Sequence, residues 1–147
     1  FYGSTDGYIK QIGGLCGTTN VTCVDTVCSV EIVPATVLPL RGAQSGTSWE
    51  SSCTDNSVIM GFRGRAGALI DQLVFRCAPL EVEYDGDNYN VSRGDYFDLP
   101  SEGGSGGISF SQTDCPADQV ATMANIRAGD GIDAFGLGCQ APSLNVL

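Results

Sequence analysis

Residues 53–77 read CTDNSVIMGFRGRAGALIDQLVFRC, and residues 115–139 read CPADQVATMANIRAGDGIDAFGLGC. Both stretches run from cysteine to cysteine over the same span, with Arg-Ala-Gly and Ile-Asp in register between them. Cys115 follows Cys53 by 62 residues (115 − 53), as Cys139 follows Cys77. A repeat of that period is a whole structural unit, so it constrains the fold before any local propensity is considered.

The chain has 147 residues, 42% of them apolar, which is enough for one domain with a core. Its 20 glycines and short apolar runs favour strands joined by turns, and no amphipathic helix stands out. Seventeen acidic and seven basic residues give a net charge of −10, which repels nucleic acid and anionic lipid surfaces. No apolar run is long enough to span a membrane, and no basic, apolar signal segment opens the chain. It reads as soluble, with Phe1 a candidate processing site and no membrane insertion expected.

The seven cysteines lack the close pairs of zinc sites, and there is no histidine, so disulfides are expected and no metal. Disulfides place the chain in an oxidising, extracellular setting. Two glycosylation acceptor patterns, at Asn20 and Asn90, agree with a secreted glycoprotein. Without histidine there is no Ser-His-Asp or Cys-His machinery, and bridged cysteines offer no thiolate. The chain is not expected to be an enzyme or to carry a cofactor.

The midpoint of the first stretch falls at Arg65 and that of the second at Arg127. Hairpins turning there would set Cys53 opposite Cys77 and Cys115 opposite Cys139, with Gly64, Gly67 and Gly129 supplying positive φ. Ile70 and Leu73 match Ile132 and Phe135, and their spacing of three predicts a bulge near Asp71.

Residues 6–16, DGYIKQIGGLC, repeat the second half of the pattern: Ile9 matches Ile70, Gln11 matches Gln72 and Ile12 matches Leu73. Leu38-Pro39, Gly42, Ser45-Gly46 and Trp49 likewise match Leu99-Pro100, Gly103, Gly106-Gly107 and Phe110. The chain therefore divides into the end of a partial repeat (1–16), two repeats (17–77 and 78–139) and a C-terminal strand (140–147). Three full repeats need roughly 186 residues. The deficit falls in the front half of the first repeat, where the expected partner of Cys16 would lie. Cleavage, true absence or strands supplied by a neighbouring molecule would each account for it. Cys23 and Cys28 lie outside the pattern and either bridge each other or recruit Cys16.

The Gly103-Gly104-Ser105-Gly106-Gly107 loop before an aromatic strand, with turns of the Gly-Arg-Ala-Gly-Ala-Leu-Ile-Asp type, resembles the jacalin-related lectins. The vitelline membrane outer layer proteins look similar in architecture. The resemblance implies an all-β β-prism of antiparallel sheets around a pseudo-threefold axis, with one repeat incomplete. It also implies sugar pockets where a Gly-x-x-x-Asp turn meets a Gly-rich loop. That motif occurs at Gly67 to Asp71 and at Gly129 to Asp133. Asp71 and the amides around Ala68 and Leu69 would meet Gly103 and Gly104, whereas Asp133 would need a loop from the missing half-repeat. In the partial repeat Asp6 replaces the glycine and Lys10 the aspartate, which argues against a family-type sugar site there.

Simpler roles compete for the same residues. Asp71 and Asp133 would serve equally well as turn caps accepting backbone N–H bonds. Arg65 and Arg127 would do no more than solvate a turn. Trp49 and Phe110 are expected in the core. Asp85, Asp87 and Asn88 form a surface turn and not a calcium loop, because Tyr89 stands where a ligand oxygen is needed. Two functions follow: a secreted, lectin-like module binding glycans at hairpin tips, or a structural subunit of an extracellular filament, coat or matrix assembled from copies of itself.

Overall fold

The computed structural model describes residues 1–54 and 56–147. It is all-β, with no helix among the described residues and several sheets, none closed into a barrel. β1 (Tyr2–Thr5) and β2 (Ile9–Gly13) form the first hairpin, from which the chain runs out into a long side arm, β3 (Leu15–Val24) and β4 (Val27–Val37). It returns as β5 (Arg41–Gly42) and β6 (Thr47–Glu50), which flank the first hairpin in the order β5-β2-β1-β6.

The same arrangement recurs. β7 (Ser57–Ala66) and β8 (Ile70–Tyr84) form a hairpin, followed by β9 (Tyr89–Arg93), β10 (Phe97–Asp98), β11 (Glu102–Gly103) and β12 (Ile108–Asp114). β11 pairs with β8 and β12 with β7, as β5 pairs with β2 and β6 with β1. Gln72↔Gly103 and Gly64↔Phe110 fall where Gln11↔Gly42 and Gly3↔Trp49 fall in the first sheet. A third hairpin, β13 (Val120–Ala128) and β14 (Ile132–Gln140), has no strand on either outer edge among the described residues.

The β1–β2, β7–β8 and β13–β14 hairpins, numbered first to third below, bury their inner faces in one cluster containing Ile9, Ile12, Phe62, Ile70, Leu73, Phe75 and Ile132. The bulge explains how residues spaced by three share a face. Arg65 pairs with Gln72 but Ala66 with Ile70, which leaves Asp71 unpaired; Lys10 and Asp133 are passed over in the same way. One extra residue flips the alternation, so Ile70, Leu73 and Phe75 all point inward. Phe75 stacks on Phe1 with ring centres 4.7 Å apart, and Phe135 meets Phe62 edge-on at 5.0 Å. Trp49 and Phe110 pack against this core as expected, although the Trp49 Nε1 is buried without a hydrogen-bond partner.

Several expectations need correction. Cys53 is bridged to Cys77 and Cys115 to Cys139, but neither pair faces across a hairpin. Cys77 sits opposite Ile59 and Cys139 opposite Ala121, because each turn lies later than the cysteine midpoint. Cys53 and Cys115 reach their partners from the segments that precede β7 and β13. Gly64, Gly67 and Gly129 do not have positive φ; Gly42, Gly46, Gly103 and Gly107 do. Gly64 is needed for close approach instead, since a Cβ there would lie 3.0 Å from the Phe110 ring and overlap the Gln72 carbonyl. The first hairpin lies in a complete four-stranded sheet, and the sparse sheet is that of the third hairpin.

Cys23 and Cys28 bridge each other across the tip of the β3–β4 hairpin, and Cys16 is free and exposed. The C-terminal strand β15 (Leu144–Val146) pairs in parallel with β3, so the sheets are not wholly antiparallel. No helix among the described residues is long and apolar enough to cross a membrane. The three internal disulfides fit folding in an oxidising compartment.

Candidate functional site

The three hairpin tips share one turn. Asp6 N–H donates to the Tyr8 carbonyl at 3.0 Å, Gly67 to Leu69 at 2.9 Å and Gly129 to Gly131 at 3.0 Å. The tips also gather at one end of the molecule. A Cβ on Gly131 would lie 2.8 Å from the Tyr8 ring and 3.3 Å from Leu69, and one on Gly104 would overlap the Gly7 carbonyl.

On the second tip, the Gly-rich loop 103–107 lies against Asp71. The Gly104 amide donates to the Asp71 carbonyl at 2.8 Å, and Gln72 Nε2 donates to the Gly104 carbonyl at 3.2 Å. Gly103 and Gly107 adopt φ of 104° and 66°, a region that favours glycine. The Asp71 carboxylate itself faces Gly106 and Gly107. A Cβ on Gly106 would stand 2.7 Å from Asp71 Oδ1, and one on Gly107 would overlap Asp71 Oδ2. A Cβ on Gly67 would be 3.7 Å from Asp71 Oδ2. The carboxylate thus lies against the backbone of Gly106 and Gly107, where a side chain would clash, and within ordinary contact distance of Gly67.

That carboxylate accepts no hydrogen bond from the described residues, and neither does Asp133. A turn-capping role is therefore not what holds either residue. Ala68 is exposed and Leu69 half-buried beside it. Of the residues anticipated for this pocket, Gly67, Asp71, Gly103 and Gly104 come together. Gly106 and Gly107, which touch the carboxylate, were missed. Their register match to Ser45-Gly46 was the available signal.

Arg65 does more than solvate a turn. It donates from Nε to the Gly106 carbonyl, from Nη2 to the Gly107 carbonyl and from Nη1 to Ser109 Oγ, each at 2.9 Å. Three bonds from one planar guanidinium fix the loop on its sheet.

At the third tip, a Cβ on Gly129 would be 3.8 Å from Asp133 Oδ2, which repeats the geometry at Gly67. No Gly-rich loop covers it among the described residues, so the anticipated Asp133 pocket has only its hairpin half. The first tip has a loop, 42–46, but Ser45 Oγ donates to Asp6 at 3.1 Å. Lys10 Nζ there donates to the Tyr8 hydroxyl at 3.0 Å, which raises the lysine pKa.

Other sequence features take structural roles. Asp85 accepts the amides of Asn88 and Asp87 and the side chain of Asn90, which lower its pKa and close a surface turn. Asn90 Nδ2, the atom that would carry a glycan, makes that bond at 3.1 Å, while Asn20 Oδ1 accepts from Asn145 at 2.8 Å. Asp98 bridges Arg76 and Arg63, at 2.8 Å and 2.6 Å. The Arg76 bond is the main reason that the aspartate titrates below its ordinary range.

No protein-family model matches this chain, and no curated protein matches it either.

Proposed function

We propose that this chain is a secreted, lectin-like β-prism module, akin to the jacalin-related lectins, that binds glycans non-covalently at its second hairpin tip. The observation that carries the reading is the Asp71 carboxylate, which accepts no hydrogen bond from the described residues and lies beside the bare backbone of Gly67, Gly106 and Gly107. A carboxylate accepts two sugar hydroxyls, and glycine lets amides approach the ring without an intervening side chain. A glycan array with the native protein and with Asp71→Ala tests it. Binding by the native protein and its loss in the variant are expected; a native protein that binds no glycan overturns the reading.

A second reading is a structural subunit completed by strands from neighbouring copies. It rests on the outer edge of β13. There β1 and β7 carry β6 and β12, whereas β13 borders an open groove of roughly 630 Å³ lined by Leu38, Pro39, Arg41 and Ile126. Unpaired strand edges are templates for another chain. Electron microscopy and non-reducing gels of the native protein would reveal filaments or Cys16-linked species; a strictly monomeric protein at high concentration removes this reading.

A further inference from the structure

The outer faces of the first two sheets are built to one register but filled differently. In the second sheet Arg65 pairs with Gln72 on one side and with Ser109 on the other. In the first sheet the same place is held by Ser4, between Gln11 and Ser48. The covering loops also correspond: Gly42 and Gly46 have φ of 100° and 79°, against 104° and 66° at Gly103 and Gly107.

With serine in place of arginine, the space that the guanidinium fills becomes a pocket. It measures roughly 490 Å³; Ser4, Gln11, Gln44, Gly46, Ser48 and Glu50 supply its polar lining, and Tyr2, Leu40 and Trp49 supply apolar walls. Ser4 and Gln11 form its buried floor and bond to each other at 3.2 Å. By register the three acceptors that Arg65 uses correspond to the Ser45 carbonyl, the Gly46 carbonyl and Ser48 Oγ, of which Gly46 and Ser48 line the pocket. None of the three accepts a hydrogen bond from the described residues. Glu50 stands on β6 where β12 has Ser111, so a carboxylate, whose Oε1 also accepts from Ser52 Oγ at 2.8 Å, replaces a hydroxyl at this position.

We propose that this pocket is a receptor for a guanidinium group, the side chain of an arginine from another polypeptide. The chain contains its own template for the complex, since Arg65 shows how a planar fork of donors satisfies this loop geometry. A carboxylate on the rim and a net charge of −10 select a cation over a neutral ligand. One source is a second copy of this chain. Arg127, the counterpart of Arg65 on the third hairpin, is exposed and donates no side-chain hydrogen bond among the described residues. The first sheet has the loop without the arginine, and the third hairpin has the arginine without the loop.

The test is a titration of the protein with Nα-acetyl-argininamide, followed by amide NMR shifts. Saturable shifts at Ser4, Gln11, Gly46 and Ser48 are expected, with the isosteric, neutral citrulline amide at least about tenfold weaker. Ser4→Arg supplies the guanidinium in place and should abolish binding. Ser48→Ala, which removes one acceptor without filling the pocket, should weaken it about threefold to tenfold. Absence of saturable shifts, equal affinity for the citrulline amide, or undiminished binding by both variants overturns the proposal. Sedimentation distinguishes the sources. Association of the native protein that is lost in both Arg127→Ala and Ser4→Arg identifies a second copy; a native monomer that still binds the arginine amide identifies a different polypeptide.

Discussion

The second and third hairpins present the same tip, yet only the second is covered by a Gly-rich loop among the described residues. Gly67 to Asp71 and Gly129 to Asp133 share the turn hydrogen bond, the bulged aspartate and the distance between glycine and carboxylate. What differs lies elsewhere in the chain. Residues 103–107 lie against Asp71 and are fixed by Arg65, while Asp133 and Arg127 meet no such loop among the described residues. A short motif therefore sets the local geometry of a tip, and a distant segment decides whether the tip is covered.

The sharpest way to break this comparison is to ask whether both hairpins are docked equally well. Ile70 and Ile132 are equivalent and buried in the shared core. Ile70→Ala and Ile132→Ala should each cost about 2–5 kcal/mol in denaturant unfolding. A cost below about 1 kcal/mol for Ile132→Ala alone would mean that the third hairpin is only loosely held.

Next in size is the loop itself. In Gly107→Ala the new Cβ would overlap Asp71 and the Ala66 backbone at positive φ, so a loss of about 1–3 kcal/mol is expected, together with loss of glycan binding. Gly129→Ala has no atom nearer than 3.8 Å to meet and should change stability by under about 0.5 kcal/mol. Equal tolerance at both positions would mean that the loop is not packed on Asp71 in solution.

The aspartates separate binding from folding. Asp71→Ala should lower glycan affinity about tenfold or more while leaving the unfolding midpoint nearly unchanged, because its carboxylate accepts no hydrogen bond from the described residues. Asp133→Ala should leave binding within about twofold of native. A matching loss in both, measured by sugar titration, would show that the third tip works without a loop.

The smallest expected effect is a dependence on acid confined to the second sheet. Asp98 has its folded-state pKa lowered below 3.8, chiefly by Arg76 and further by Arg63. The contribution is therefore present above the ordinary aspartate range and is lost as pH falls through the depressed folded value. For so exposed a pair it amounts to about 0.5–1 kcal/mol. Asp98→Asn should lower stability at neutral pH by that amount and flatten the acid limb of the unfolding curve. An unaltered acid limb would show that these ion pairs contribute nothing to the difference between the sheets.

The matched positions that revealed repetition also carried much of the local structure. Spacing of three between Ile70 and Leu73 announced the bulge, and paired Trp49 and Phe110 announced their place against the core. The hairpin turn was misplaced, because the cysteine midpoint assumes that bridged residues face one another. In fact Cys53 and Cys115 precede their strands. Glycine was legible as a requirement but not as a mechanism: Gly64 answers a close approach, whereas Gly103 and Gly107 answer positive φ. The role of Arg65 could not be read from its identity with Arg127, since its acceptors lie more than 40 positions away at Gly106, Gly107 and Ser109.

By itself the sequence determined the period, the all-β character, two of the three disulfides and the pairing of each glycine with its aspartate. All of these are expressed as spacing, and spacing survives in one dimension. Only the tertiary structure decided which loop covers which tip, which acceptors an arginine finds, and where an outer face is left hollow. Those outcomes depend on strands that pair across long stretches of chain, where a single change such as serine for arginine turns a filled space into a pocket.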